Sequence, residues 1–216
     1  MRGRKAAEVL AGARELFLLQ GFSGTSVEDI AARAGVSKAT VYSNFADKDA
    51  LLVALVDQLT AEAEGIVAAA VGALRGPGGI EERFTRLAVA ISGGVLRPEV
   101  VRLRRLAVAE AARVPAAGRA YWSHGPGRTL ELLEAEFRRL DAEGALAVPD
   151  PGAAAAMFAY ALVGPGQDRA LLTGSAPGPD ELRRYARSVA RTLLAAFAPD
   201  RRPDRERNRG PADRRG

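Results

Sequence analysis

Residues 25–52 read TSVEDIAARAGVSKATVYSNFADKDALL, and this stretch decides how the N-terminal part of the chain folds. Its first two residues are each followed three positions later by an acid, a spacing typical of a capping box at the start of a helix. Gly35 suits the left-handed residue of a sharp turn, and Ser37 suits the cap of a further helix that runs to about Phe45. The stretch therefore predicts two short helices joined by a glycine turn, which is a helix-turn-helix.

The segments on either side of this stretch also have the pattern of helices. Upstream, apolar residues recur at three- and four-residue spacing from about Arg4 to Gln20. Downstream, a short break precedes a long fourth helix that reaches about Leu74. We predict an N-terminal three-helix domain over residues 1–48, joined to the rest of the chain by this long helix.

Helical periodicity dominates the remainder as well, without sustained two-residue alternation, so we predict an all-α fold of about nine to ten helices. Segments rich in glycine and proline interrupt it, and we predict that each is a turn. We predict a second domain over residues 49–198, and we expect residues 199–216 to form a disordered arginine-rich tail because they are almost without apolar content. The predicted turns lie at 76–79, 125–127, 164–166 and 177–179, and the predicted helices between them at about 80–95, 98–113, 116–124, 128–143, 150–163 and 179–197.

The composition limits the chemistry that the chain can carry. The chain has no cysteine, which excludes disulfides, thiolate metal sites and a cysteine nucleophile. No run approaches the roughly 18 uncharged apolar residues of a membrane span, and the N-terminus lacks the apolar region of a signal peptide. We therefore expect a cytoplasmic protein that needs neither metal nor cofactor and does not enter a membrane. The formal charge is +5, and the only three lysines, Lys5, Lys38 and Lys48, lie in the first quarter of the chain.

The second helix of the predicted helix-turn-helix carries short polar side chains where a solvated helix would carry long charged ones. In this motif the second helix lies in the major groove of DNA, while the first helix and neighbouring N-termini grip phosphates. Lys38 can donate to guanine acceptors, and Ala39 or the methyl group of Thr40 can meet a thymine methyl. Hydroxyl, amide and ammonium donors nearby suit phosphate. The predicted DNA-binding residues are Thr25, Ser26, Ser37, Lys38, Ala39, Thr40, Tyr42, Ser43, Asn44 and Lys48.

These residues also carry a family resemblance. Gly35-Val36-Ser37, Tyr42, Phe45 and Lys48-x-x-Leu51-Leu52 occur together and in order. The pattern closely resembles the N-terminal domain of the TetR family of one-component bacterial transcriptional regulators, over about residues 5–55. Further along, the segment LRRLAVAEAARVPAAGRAYWSHGPGRTLELL looks like the AefR-like subgroup of that family.

Two positions depart from the common pattern of the family. Many members have a basic or polar contact near the start of the second helix, where this chain has Val27 and Glu28. Glu28 would repel phosphate unless it reads a cytosine amino group, so it is left out of the predicted DNA-binding set. Ser43 and Asn44 replace the more usual aromatic residue or histidine. The resemblance therefore does not supply the operator sequence.

The resemblance implies a repressor that leaves a palindromic operator in double-stranded DNA when a small-molecule effector, as yet unknown, binds its C-terminal domain. It also implies a homodimer, because one short recognition helix contacts too little DNA for tight specific binding. Aromatic residues at helical spacing are more often plain core, but the implied cavity makes them candidates for ligand contact. The candidates for ligand binding are Phe84, Arg105, Tyr121, Trp122, His124, Met157 and Phe158. The candidates for the dimer interface, on the last two helices, are Ala156, Tyr160, Tyr185, Val189, Leu193 and Phe197.

Two alternatives remain open. An effector-blind regulator would bind DNA and have a filled C-terminal core. A helical enzyme or ligand carrier would instead use the region around His124, with Tyr121 and a carboxylate such as Glu110 or Glu131. His124 is the only histidine and there is no cysteine, so a metal or nucleophilic site would be short of partners. We therefore expect no enzymatic activity.

Overall fold

The computed structural model describes residues 2–199, which are all-α. The predicted tail lies outside the described residues apart from Pro199. Within the described range there are ten α-helices, and a single 3₁₀ turn, Ala73–Arg75, follows the fourth. The helices are α1 (Arg2–Gln20), α2 (Val27–Arg33), α3 (Lys38–Asn44), α4 (Lys48–Gly72), α5 (Ile80–Val95), α6 (Pro98–Glu110), α7 (Pro115–His124), α8 (Pro126–Ala142), α9 (Pro151–Thr173) and α10 (Pro179–Ala196).

Helices α1 to α3 and the start of α4 form the head of the molecule. Local interactions set the ends of its helices: Ser26 caps α2 in a capping box with Asp29, and Ser37 caps α3. Gly35 has φ +64°, so any side chain there would be strained. The predicted helix-turn-helix is confirmed. Its apolar faces meet in a core whose fully buried members include Val9, Ala13, Phe17, Ile30, Leu51, Leu52 and Leu55.

Helix α4 belongs to two cores. Its 25 residues extend over about 37 Å. The first half, with Leu51 and Leu55, packs in the head, whereas Val67 and Val71 pack in the second core. Side chains of α6 and α7 also join the head core, including Leu106. The head is therefore packed against α6 and α7 as well as connected through α4.

Helices α5, α8, α9 and α10 enclose the second core, which we call the body. Three buried rings, Phe84, Phe137 and Phe158, meet at its centre with centroids 5.7 to 6.1 Å apart. Glu136 is buried beside them and forms ion pairs with Arg139 and Arg75. These two guanidinium groups lower the pKa of Glu136 against the effect of its burial, so the carboxylate remains charged and compensated.

The segment 164–166 corrects one of the predicted turns. Helix α9 was expected to end near residue 163, but it continues to Thr173 with Pro165 inside it. A proline in a helix lacks the N–H that would bond the carbonyl four residues earlier, which here belongs to Ala161. The Tyr185 hydroxyl donates to that carbonyl at 2.9 Å. A side chain from α10 thus replaces the missing bond, and the other three predicted turns do separate helices.

Candidate functional site

The outward face of α3 presents the short side chains that the sequence pointed to. Lys38, Ala39, Tyr42 and Ser43 are exposed, while Val41 is buried and fixes the helix against the head core. Several neighbouring polar groups are engaged within the protein. Ser37 Oγ accepts from the backbone N–H of Thr40, and Asn44 Nδ2 donates to the Thr40 carbonyl at 2.8 Å. The helix therefore offers a narrow, ordered polar ridge.

Lys38 forms an ion pair with Glu28, which lies at the start of α2. Both side chains are more than half exposed. The hydrogen bond from Lys38 lowers the pKa of Glu28, and the same bond raises the pKa of Lys38. Glu28 is not in the predicted set, yet the turn between α2 and α3 brings it to Lys38, the first residue of the outward face. The two residues lie on different helices, so no pattern within either helix pointed to this ion pair.

Lys48 is held by the turn between α1 and α2. Its Nζ donates to the carbonyl oxygens of Phe22 at 2.9 Å and Thr25 at 2.8 Å. The same ammonium lies 4.1 Å from the centroid of the Phe22 ring, in a cation–π contact. Two of the three N–H donors of the ammonium group are thus used inside the head, where they hold the turn. One donor is left for a DNA phosphate.

Thr25 requires a correction. Its side chain is buried, and its hydroxyl donates to the Gly21 carbonyl at 2.8 Å, so it does not face outward as predicted. Ser26 next to it is exposed, but its Oγ accepts from the Asp29 backbone N–H as the cap of α2. Both residues shape the N-terminus of α2.

A cavity of about 100 Å³ lies between α4, α5, α6, α7, α8 and α9. Most of its wall is aliphatic. Its larger polar side chains are those of Glu64, Arg104, Tyr121, His124, Tyr160 and Gln167. Burial raises the pKa of the Tyr121 phenol, and the Arg104 guanidinium beside it opposes that rise. His124 Nδ1 lies 3.2 Å from Asp57 Oδ1 on α4.

Only two of the seven predicted ligand-binding residues, Tyr121 and His124, line this cavity. Phe84 and Phe158 fill the body core, and the Arg105 guanidinium donates to the Leu171 carbonyl at 2.8 Å. The remaining two, Trp122 and Met157, are 52% and 64% exposed. Arg104 and Gln167 line the cavity but are not in the predicted set, because the side of a helix that faces a cavity depends on how the helices pack.

The predicted dimer residues also divide. Three residues of the predicted stripe face inward: Leu193 is buried, Phe197 contacts Phe137 with a centroid distance of 6.3 Å, and Val189 packs on the body core. Tyr185 is 41% exposed, although its hydroxyl bonds α9 as described above. Tyr160, in contrast, is half exposed and also borders the cavity, while Ala156 is partly buried. The outward surface that remains is on α9, with the exposed residues Met157, Tyr160, Ala161, Pro165 and Leu172.

Both ends of α6 hold the head. Near its N-terminus, Glu99 accepts from Arg14 Nε of α1 at 2.7 Å. Just beyond its C-terminus, Arg113 bonds Asp49 of α4 at 3.1 Å and lies 3.9 Å from the centroid of the Phe22 ring. The middle of the same helix lines the cavity with Val100, Leu103 and Arg104. A change in the cavity that moves α6 would therefore act on the head directly.

Comparison with protein families accounts for both parts of the chain. Residues 9–55 match the model for bacterial regulatory proteins of the tetR family, and residues 82–199 match the model for the C-terminal domain of AefR-like transcriptional repressors. The chain belongs to the TetR family. Both models describe transcriptional regulators rather than enzymes.

Solved structures of TetR-family proteins agree with this assignment over nearly the whole chain. A putative TetR-family transcriptional regulator from Mesorhizobium loti is 31% identical, with a TM-score of 0.87 over 91% of this chain and 98% of that one. The flavonoid-responsive regulator FrrA is 29% identical, with a TM-score of 0.73 over 92% of this chain and 99% of that one.

Curated HTH-type transcriptional regulators match over a shorter segment. The HTH-type transcriptional repressor Rv3405c of Mycobacterium tuberculosis is 41% identical over 58 residues, which are 27% of this chain and 31% of the relative. The HTH-type transcriptional regulator EthR of Mycolicibacterium smegmatis is 38% identical over 60 residues, 28% of each chain. The match therefore spans about a third of these relatives or less. None of the helices within residues 2–199 is long and apolar enough to cross a membrane.

Proposed function

We propose that this TetR-family protein is a sequence-specific DNA-binding repressor whose DNA-reading element is α3. The exposed ridge of Lys38, Ala39, Tyr42 and Ser43 on a helix fixed by a buried valine is the observation that carries the proposal. Short side chains let the helix approach base edges, and the capped N-termini of α2 and α4 suit phosphate. The proposal divides the chain into a DNA-binding domain over residues 1–48 and a ligand-binding and dimerisation domain over 49–198. A protein with this role works in the cytoplasm.

The proposed active form is a homodimer on a palindromic operator. Two heads related by a twofold axis contact twice the length of DNA that one recognition helix reaches, and the operator then mirrors that symmetry. The outward face of α9 supports this arrangement, because exposed apolar residues such as Met157, Tyr160 and Leu172 are candidates for contact with a second copy.

The proposed effector site is the cavity between α4 and α9. A ligand needs only to prefer one arrangement of the heads, since differential affinity shifts the populations of two conformations. Helix α6 supports such coupling because it lines the cavity and holds the head at both of its ends. A small-molecule effector is also consistent with the description of FrrA as flavonoid-responsive.

Fluorescence anisotropy with the protein's own promoter region would test the proposal, with a random duplex of equal length as the control. We expect a specific complex at moderate salt whose stoichiometry is at least two chains per site, and release of the DNA by an effector found in a ligand screen. Specific binding without any ligand response would favour an effector-blind regulator. No preference for promoter DNA would favour a carrier or enzyme that uses the His124 region.

Replacing Glu28 with glutamine is expected to strengthen binding to random DNA. The change frees Lys38 from its ion pair, and a free ammonium can neutralise one more phosphate. The slope of log K against log salt should therefore become steeper by about one. Lys38→Ala should leave the salt slope of the random duplex close to that of the wild type, because the paired lysine contributes little to it, while changing the base preference on promoter DNA.

The matched control is Glu82→Gln, which removes the carboxylate of an exposed ion pair with Arg86 in the body. It should not alter the slope of log K against log salt on random or on promoter DNA. If Glu28→Gln bound random DNA with an unchanged or shallower slope, the ion pair would have no part in DNA binding.

A further inference from the structure

Arg104 stands apart from the other charged groups of the cavity wall. Its Nε is buried, and within residues 2–199 it has no hydrogen-bond partner. The one carboxylate among the residues that line the cavity, Glu64, already accepts a hydrogen bond from Arg128 Nε at 2.9 Å. The imidazole of His124 faces Asp57. The guanidinium therefore gives the cavity a positive charge that the carboxylates lining it do not neutralise. A buried donor without a partner is costly unless a ligand or water meets it.

Two further polar side chains line the same cavity as Arg104. The Tyr121 hydroxyl lies beside Arg104, and like any phenol it is protonated at neutral pH, so it can donate a hydrogen bond. Gln167 is 6% exposed and borders the same cavity, so its amide adds a further donor. Three side chains that donate hydrogen bonds at one site suit an acceptor that carries negative charge.

The rest of the wall defines the body of the ligand. Aliphatic groups from five helices surround the space, including Leu59, Ile91, Leu103, Leu130 and Val163. The volume of about 100 Å³ is below the roughly 150 Å³ of an apolar cavity that holds benzene, so it suits a ligand no larger than about one ring or a short chain. The site is thus built for a compact hydrocarbon or aromatic skeleton, with its charged end at Arg104.

We infer that the cavity binds a compact, mainly apolar carboxylate, with Arg104 as its counter-ion and Tyr121 and Gln167 as additional donors. The claim that this carboxylate is the effector rests on the proposed function. The claim that the cavity binds a carboxylate does not, because binding can be measured on the full chain without DNA. The charge of Arg104 disfavours a cationic ligand, and a neutral ligand would leave the guanidinium without a counter-charge.

Isothermal titration calorimetry with matched probes tests the inference. The carboxylates are benzoate, cyclohexanecarboxylate and butyrate, and each is compared with its primary amide, which has nearly the same shape without the charge. We expect at least one carboxylate to bind, and to bind about tenfold or more tightly than its amide.

The decisive variant is Arg104→Met, which keeps an unbranched apolar side chain and removes the guanidinium. It should weaken carboxylate binding by about 10- to 100-fold and leave amide binding within about threefold. Arg102→Met is the matched control on the exposed side of the same helix and should change neither. Arg104→Lys keeps the charge, so it should retain part of the preference for carboxylate. This variant therefore shows whether a loss of binding reflects the loss of charge or the loss of packing.

Two results would overturn the inference: no binding by any carboxylate of the panel, or equal affinity for acid and amide in the wild type with no effect of Arg104→Met. Neither result bears on DNA recognition, which the anisotropy experiment measures separately. If the carboxylate binds as expected but promoter DNA is not recognised, the site stands and the regulatory function fails.

Discussion

Phe158→Ala is expected to lower the free energy of unfolding by about 3–5 kcal/mol, because it removes a fully buried ring from the centre of the body core. Phe158 lies against Phe84 and Phe137 with centroid distances of 5.7 and 6.1 Å, so truncation leaves a void lined by two other rings. Thermal and denaturant unfolding of wild type and variant, compared at one protein concentration, would measure the loss. The fixed concentration matters because assembly contributes to apparent stability.

Trp122→Ala is the matched control for Phe158→Ala. Both aromatic residues were candidates for ligand contact from the sequence, but Trp122 is about half exposed and should cost less than about 1 kcal/mol. A small loss for Phe158→Ala, accompanied by weaker binding of the carboxylate probes, would show that Phe158 lines a ligand site after all.

Lys48→Met is expected to loosen the head and to weaken binding to every DNA sequence. Methionine keeps the length of the side chain but cannot donate to the carbonyl oxygens of Phe22 and Thr25, and it loses the cation over the Phe22 ring. Two charge-assisted bonds at a half-buried site contribute about 2–3 kcal/mol together after allowance for solvent screening. Hydrogen exchange in the turn between α1 and α2, measured without DNA, should therefore accelerate.

DNA binding by the same variant separates the two roles of Lys48. Loss of one phosphate contact would make the salt slope shallower by about one on promoter and random DNA alike. Lys5→Met, which removes the ammonium paired with Glu8 on α1, is the control and should leave the turn unchanged. If Lys48→Met altered the salt slope without faster exchange in the turn, Lys48 would serve phosphate only, as the sequence alone suggested.

The course of α9 illustrates where local sequence rules stop. A glycine-proline-glycine segment ordinarily marks a turn, and three comparable segments in this chain do separate helices. At 164–166 the helix continues, because a tyrosine from α10 supplies the hydrogen bond that Pro165 cannot. That compensation comes from a residue about twenty positions away, which no local pattern can reveal.

The candidate sites divide in the same way. The helix-turn-helix could be predicted from residues 25–52, because its caps, its left-handed glycine and its apolar spacing act between residues that are close in the chain. The ion pair on its outward face could not be predicted, since Lys38 meets Glu28 only after the two helices have packed.

The sequence by itself therefore determined the all-α class, the positions of the head helices and the residues that face outward on α3. Tertiary structure alone decided which of the three arginines of α6, Arg102, Arg104 and Arg105, enters the cavity. It also decided that Phe158 lies in the body core and that the Lys48 ammonium group bonds the turn between α1 and α2. The physical reason is range: helix periodicity and caps act over three or four residues, whereas the orientation of a side chain toward a cavity, core or surface is fixed by contacts between helices distant in the chain.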